Sequence, residues 1–258
     1  MKVVIFCGGL GTRLREHSET IPKPLVPIGP MPILWHLMRY YAHFGHKEFI
    51  LCLGYKGVTI REFFLNYNPN LTRDFSIVGN GGSISPASSD IADWTIHFVD
   101  TGLHSNIGQR LSKVQSYLED DELFLANYGD QLSDLPLNEH IERFDNSGAV
   151  AGFAAVRPSQ SFHLVDSDNK HRVTSIRDVE ASDIWINGGY MVLRNSIFDY
   201  IRDGEELVEE PFRRLLEEGK LFAYRYHGFW KAMDTIKDKI VYDRMWSQEE
   251  LPWQVWQD

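Results

Sequence analysis

The residues best equipped for chemistry stand near the start of the chain: Gly8, Gly9 and Gly11, then Thr12 and Arg13, and further on Lys23 between Pro22 and Pro24. Glycines adopt backbone dihedrals closed to other residues, so this stretch can wrap closely around a ligand with its N–H groups turned inward. Thr12 adds a hydroxyl. Arg13 adds a planar fork suited to holding phosphate oxygens in two places. The flanking prolines stiffen the backbone at Lys23 and fix the direction of its ammonium. Together these groups can cradle a polyphosphate.

Two familiar phosphate-binding patterns do not account for this stretch. G-x-G-x-x-G, run from Gly9 through Gly11, would need a glycine where the chain has Leu14, and the Gly-Lys-Ser/Thr of a P-loop is absent. Glycine-rich turns after a first strand also serve packing alone, so the glycines by themselves leave both readings open. The longer pattern of Gly8-Gly9-Leu10-Gly11-Thr12-Arg13-Leu14 with Pro22-Lys23-Pro24 is far more specific.

At these residues the chain resembles the sugar nucleotidyltransferases, whose signature is G-G-x-G-T-R-L followed by P-K-P and I-G, the last at Ile28-Gly29. Within that family it is similar to the glucose-1-phosphate cytidylyltransferases through nearly its whole length. The matching stretches are Pro32-Ile33-Leu34-Trp35-His36, Gly54-Tyr55-Lys56-Gly57, Val99-Asp100-Thr101-Gly102, Tyr128-Gly129-Asp130, Ile186-Asn187-Gly188-Gly189, Gly228-Phe229-Trp230 and Met233-Asp234-Thr235.

The resemblance implies a nucleotide site made by Gly8, Gly9, Leu10, Gly11, Thr12, Arg13, Lys23, Arg110 and Gly129, with Arg13, Lys23, Asp130 and Asp234 as the catalytic set. It further implies that Asp130 and Asp234 hold Mg2+ and that Asn187, Gly188 and Gly189 read the sugar hydroxyls. In the implied reaction a sugar 1-phosphate oxygen attacks the α-phosphorus of a nucleoside triphosphate and expels pyrophosphate. The site must therefore neutralise and align several anions. A phosphate monoester is already ionised near neutral pH, so no general base is assigned.

The elements that must position these groups follow from the pattern of the chain. Residues 3–6 form a short β-branched run stopped by glycines, which reads as a buried strand. A helix-compatible stretch at 33–41, a strand at 49–53, a helix at 58–64 and a strand at 94–99 come next. That alternation predicts an α/β fold of three layers (α/β/α), Rossmann-like, with a mixed, mainly parallel central sheet. Residues 66–93 read as a long irregular excursion. A helix opening at Gly108 and a strand at 123–128 ending in Gly129-Asp130 complete the first half.

Ligands of open α/β sheets lie at the carboxyl ends of the strands, which places Asp130 beside the glycine-rich turn. From residue 149 strands dominate, at 149–156, 164–165, 172–176 and 184–193. They are expected to build the second substrate's pocket on the same sheet. A short helix at 212–216, a strand at 221–226, the loop carrying Asp234 and a closing helix at 236–246 finish the chain. The chain is expected to form one domain, 1–130 mainly nucleotide-binding and 131–258 mainly sugar-phosphate-binding.

Composition is consistent with this reading. Of 258 residues, 43% are hydrophobic and 24% charged, as in a soluble globular protein. No apolar run approaches the ~18 residues of a membrane span, and the first strand lacks the features of a signal peptide. A net charge of −10 argues against nucleic acid as a partner. Cys7 and Cys52 sit in strand-like runs and read as buried thiols, consistent with the cytoplasm. His36 reads as a satisfied core or interface histidine. Trp253 and Trp256 are expected to dock on the body or on a neighbouring subunit of a homo-oligomer.

The chain departs from the family at two places. Relatives often carry threonine where Ile107 stands. A Glu-Lys-Pro, whose lysine reaches the sugar phosphate, is replaced by Asp178-Val179-Glu180, while a glycine-containing segment upstream becomes Phe162-His163-Leu164. Sugar 1-phosphate should bind less well unless another cation, Arg177 or His163, takes over. The expected activity is transfer from CTP to glucose 1-phosphate, giving CDP-glucose. The alternatives are the same chemistry with UTP, dTTP or another phosphorylated acceptor, and a catalytically silent module on the same scaffold.

Overall fold

All four side chains of β1 (Val3–Phe6) are buried, which requires a strand covered on both faces. Val3 and Ile5 pack with one hydrophobic cluster and Val4 and Phe6 with another, so the sheet separates two cores. The computed structural model describes residues 1–9, 21–72, 74–77, 84–85, 89–158, 162–179 and 182–256. Leu10, Gly11, Thr12, Arg13 and Glu180 lie outside the described residues.

Helix α1 (Ile33–His43) follows, with a continuous buried stripe, and a left-handed Gly45 turns the chain into β2 (Glu48–Leu53). Helix α2 (Gly57–Leu65), β3 (Thr95–Asp100), the short α3 (Ile107–Lys113) and β4 (Leu123–Tyr128) continue the alternation. Strands β2 and β3 extend the sheet on one side of β1, while β4 joins the other side, and all these pairings are parallel. The strand order therefore reverses between β1 and β4. Their carboxyl ends open the crevice in which ligands of such sheets bind.

A short β5 (Gln131–Ser133) leads to α4 (Leu137–Ser147), a helix the sequence reading missed. Its buried Leu137, His140 and Phe144 recur at helical spacing, and Gly148 closes it at φ +67°. Strand β6 (Ala151–Val156) then extends the sheet. The expected strands near 164 and 173 are β7 (His163–Ser167) and β8 (Val173–Asp178), paired only with each other. They form a separate, largely exposed ribbon rather than part of the main sheet, because neither has a continuous apolar face to bury.

The expected strand at 184–193 is also interrupted, as β9 (Ile186–Asn187) and β10 (Met191–Arg194), both antiparallel to β6. Asn187 faces Ala155 and Leu193 faces Ala151, so six residues on one side are matched by four on the other. The extra residues lie in the turn at Gly188, Gly189 and Tyr190, the last two in left-handed backbone. Helix α5 (Glu210–Glu217) precedes β11 (Leu221–Arg225), which runs parallel to β6 and completes an eight-stranded sheet. Strand β12 (Trp230–Ala232) and helix α6 (Ile236–Ser247) follow. The architecture is the expected mixed, mainly parallel sheet with helices on both faces.

The C-terminal tail packs on α1. Trp253 is 1% exposed and donates its indole N–H to Nδ1 of His36 at 3.4 Å, while Nε2 of His36 donates to the Ile28 carbonyl at 3.0 Å. Both ring nitrogens are thus engaged in the neutral tautomer. Burial pulls His36 down from 6.5 to about 4, against a smaller pull from the Ile28 and Met31 backbone groups. Protonation would turn Nδ1 from an acceptor into a donor facing the indole N–H.

The unfolded chain binds a proton at this site between pH 6.5 and 4 that the folded chain excludes. Stability due to His36 is therefore complete above pH 6.5 and is lost as the pH falls towards 4, with a slope approaching ~1.4 kcal/mol per pH unit. Urea denaturation of wild type and His36→Gln across this window should show the shallower pH dependence in the variant. Equal slopes would show that His36 does not titrate as its burial requires.

Candidate active site

Lys23, Asp130 and Asp234 are far apart in sequence and meet at one point. Lys23 opens a single 3-10 turn, Lys23–Leu25, fixed by Pro22 on one side and buried Pro24 on the other. Asp130 follows the carboxyl end of β4. Strands β5 and β12 pair antiparallel, Gln131 facing Ala232, and the Met233 N–H donates to the Asp130 carbonyl at 2.8 Å. That small ribbon carries Asp234 to the end of β4. Thr235 and Asp238 form a capping box at the start of α6, and the Asp234 N–H also donates to Asp238 at 3.2 Å.

The ammonium of Lys23 lies 2.5 Å from Oδ2 of Asp130 and 2.6 Å from Oδ1 of Asp234. Burial pulls the lysine pKa down, but the two carboxylates outweigh it and hold the pKa above its ordinary value. Lys23 is therefore charged throughout the neutral range. Two carboxylate oxygens that share one ammonium are close enough to share one metal ion.

Among the described residues no group of three or more His, Cys, Asp or Glu side chains forms a metal cage. A pair of carboxylates with phosphate and water oxygens completing the shell is the donor set favoured by a hard divalent cation. The two aspartates fit that role.

Gly8 and Gly9 continue from β1 and sit beside Gly129 and Asp130 in a cavity of about 200 Å³, which Lys23, Asn106, Ile107, Tyr128 and Glu206 also line. Gly129 has no room for a side chain without crowding: an added Cβ would lie 3.2 Å from the Phe6 carbonyl oxygen. A larger cavity of about 350 Å³ lies by the end of α1 and is lined by Arg39, Asp90, Trp94 and Trp256. It lacks the bridged carboxylates, so chemistry rather than volume picks out the smaller one.

Arg110, expected to contact the nucleotide, is 3% exposed and lies beneath the glycine turn. Its guanidinium donates to the carbonyls of Gly8 at 3.0 Å, Leu53 at 3.1 Å and Leu103 at 3.5 Å, and to the Thr101 hydroxyl at 2.7 Å. It thereby ties together the ends of β1, β2 and β3. Burial lowers its pKa, yet a guanidinium stays charged. Among the described residues it has no carboxylate ion-pair partner, so a buried positive charge stands directly under Gly8.

Asn187, Gly188 and Gly189 form the turn between β9 and β10. The Gly188 carbonyl accepts from Gln131 at 2.6 Å and from Trp230 at 2.9 Å, and Oδ1 of Asn187 accepts from the Gly189 N–H at 2.9 Å. A Cβ at Gly189 would fall 2.0 Å from the Gln131 amide nitrogen. Only glycine fits there.

The two cations expected to compensate for Val179 are engaged elsewhere. Arg177 pairs with Asp166 at 2.8 Å and His163 with Asp178 at 3.0 Å, all on the exposed β7–β8 ribbon. Val179 itself is buried and donates its N–H to the Phe162 carbonyl.

A family model described as nucleotidyl transferase matches residues 2–247. The chain belongs to that family. It is 38% identical over 259 residues to the glucose-1-phosphate cytidylyltransferase of Salmonella typhimurium, with all of both chains covered. It is 28% identical to the D-glycero-alpha-D-manno-heptose 1-phosphate guanylyltransferase of Campylobacter jejuni, covering 86% of this chain and 91% of that one. A crystal structure of UDP-glucose pyrophosphorylase complexed with UDP-glucose shares the fold, with a TM-score of 0.68 at 14% identity over 96% of this chain and 98% of that one.

For this nucleotidyl transferase, the contact between Arg110 and the glycine turn is open to a direct check. A Cβ on Gly8 would lie 2.1 Å from Nη1 of Arg110, so Gly8→Ala should expel the guanidinium and cost at least ~2 kcal/mol of stability. Gly8→Ala combined with Arg110→Ala should cost little more than Arg110→Ala alone. Fully additive losses in urea denaturation would mean that the two residues do not act through each other.

Proposed function

We propose that this chain joins CTP to glucose 1-phosphate, giving CDP-glucose and pyrophosphate. The observation that carries the reaction type is the Lys23 ammonium shared between Asp130 and Asp234 at the carboxyl ends of β1 and β4. Support for the substrates comes from the full-length similarity to the Salmonella enzyme.

In this reading the amides of Gly8 to Thr12 receive the triphosphate, with Arg13 balancing charge on the departing pyrophosphate. Gly129 lets the end of β4 pack closely against β1 and so brings Asp130 beside the glycine turn. Lys23 turns from the aspartates to the α-phosphate and the incoming oxygen, bringing both anions within reach of one positive charge. Asp130 and Asp234 would hold Mg2+, which when bound neutralises phosphate charge as a Lewis acid. The buried charge of Arg110 acts on the phosphates through the turn it supports. Asn187 offers its amide N–H₂ to sugar hydroxyls, with Gly188 and Gly189 allowing close approach.

A different phosphorylated acceptor is the second reading, and Val179 in place of the lysine is the feature that favours it. A silent module has no use for three converging charges, so the site speaks against that reading. Residence in the cytoplasm, one domain and assembly as a homo-oligomer complete the proposal. No helix among the described residues is long and apolar enough to cross a membrane.

Four nucleoside triphosphates assayed against a panel of sugar 1-phosphates, scored by pyrophosphate release, should give the highest kcat/KM for CTP with glucose 1-phosphate. Another best pair would replace these substrates. Asp130→Ala and Asp234→Ala should each lower turnover at least ~100-fold, with melting temperatures near wild type. Near-normal turnover in both would remove the aspartates from the mechanism.

A further inference from the structure

The cavity lined by Lys23 and Asp130 has a further wall made by the start of α3 and the segment before α5. Most polar side chains on that wall are already committed. Ser105 donates to the Thr101 carbonyl and accepts from Lys113. Asn106 accepts from the Gln109 N–H at 2.8 Å and donates to the Gly204 carbonyl at 2.9 Å. Arg110 is held by carbonyls beneath the glycine turn. Ile107 is apolar.

Glu206 differs from these neighbours. Its Oε2 accepts from the Ile107 N–H at 3.2 Å and its Oε1 from the Leu207 N–H at 2.9 Å. A carboxylate offers about four acceptor positions, so these two bonds orient it and leave acceptor capacity for a ligand. The preceding Glu205 is anchored to Arg214 of α5, and an added Cβ on Gly108 would lie 2.3 Å from the Glu205 carbonyl oxygen. The segment is thus fixed against α3. Tyr128 also lines this cavity.

We infer that Glu206 is the specificity-determining residue for the base, accepting a hydrogen bond from the exocyclic amine of cytosine. The inference rests on the cytidylyl reading given above. A nucleotide whose phosphates lie at Lys23 and Asp130 extends its base along the cavity, past Tyr128 and Ile107, to this carboxylate. Acceptance from cytosine N4 is the pairing that a carboxylate makes with this base in other settings. Uracil and thymine present a carbonyl oxygen at the same position, which faces the carboxylate with no proton between them.

The test compares CTP, UTP and the triphosphate of pyrimidin-2-one ribonucleoside, which lacks the amine, at saturating glucose 1-phosphate. With wild-type protein the amine-less analogue should lose at least about tenfold in kcat/KM relative to CTP. Glu206→Gln and Glu206→Ala should reduce the CTP-to-UTP preference by a similar factor, leaving the KM for glucose 1-phosphate unchanged. Equal use of CTP and the analogue by wild type overturns the inference while the cytidylyl reading stands, and this arm needs no variant to fold. A uniform loss for all nucleotides in both variants, with the preference intact, would mean that Glu206 only fastens its segment to α3 and also overturns it. A wild type that prefers UTP overturns the cytidylyl reading and the inference together.

Discussion

The structure of the site depends on one ammonium holding two carboxylates. Asp130 and Asp234 approach closely because a three-residue ribbon and a helix cap bring them together, and without a cation between them their charges would repel at short range. Lys23 supplies that cation from a turn stiffened by two prolines, with only 14% of its side chain exposed. Little water intervenes, so the attraction is screened less than at an open surface. The same arrangement explains how the aspartates can be preassembled before a metal or a nucleotide arrives.

A second cation, Arg110, works from below. Its hydrogen bonds join the ends of three parallel strands and support the glycine turn, which fixes the floor on which phosphates would lie. The two cations sit differently: Lys23 meets the carboxylates of Asp130 and Asp234, whereas Arg110 bonds to the backbone beneath the turn. Lys23 and Arg110 thus bring two cations to the crevice between β1 and β4 of a chain whose net charge is −10.

Much of this was readable from the sequence, for reasons that differ by residue. Val3 to Phe6 ending in glycines, and Lys23 between prolines, are local patterns whose geometry follows from backbone rules. The alternation of strands and helices was enough to place Asp130 at a strand end. The meeting of Asp130 with Asp234 depends on pairing Gln131–Ser133 with Trp230–Ala232, strands too short to leave a period of their own, and the family resemblance supplied it. The direction of Arg110 was not readable, since a cation in a helix carries no mark of which groups its fork will find. Glu206 lies in the charged stretch Asp203-Gly204-Glu205-Glu206, whose sequence gives no sign that α3 packs on it and turns it to a cavity. Asn187-Gly188-Gly189 was visible as a close-approach element, but not the break it makes in its strand.

The central claim is that Lys23 occupies, in the free protein, the place between Asp130 and Asp234 that a divalent cation takes when substrate binds. Titration of Mn2+ followed by electron paramagnetic resonance tests it directly, on wild type and on Lys23→Met, with no nucleotide present. The account predicts weak Mn2+ binding by wild type and clearly tighter binding by the variant, because the neutral side chain leaves two uncompensated carboxylates for the metal. Mn2+ binding that is equal in the two proteins, or weaker in the variant, would contradict it.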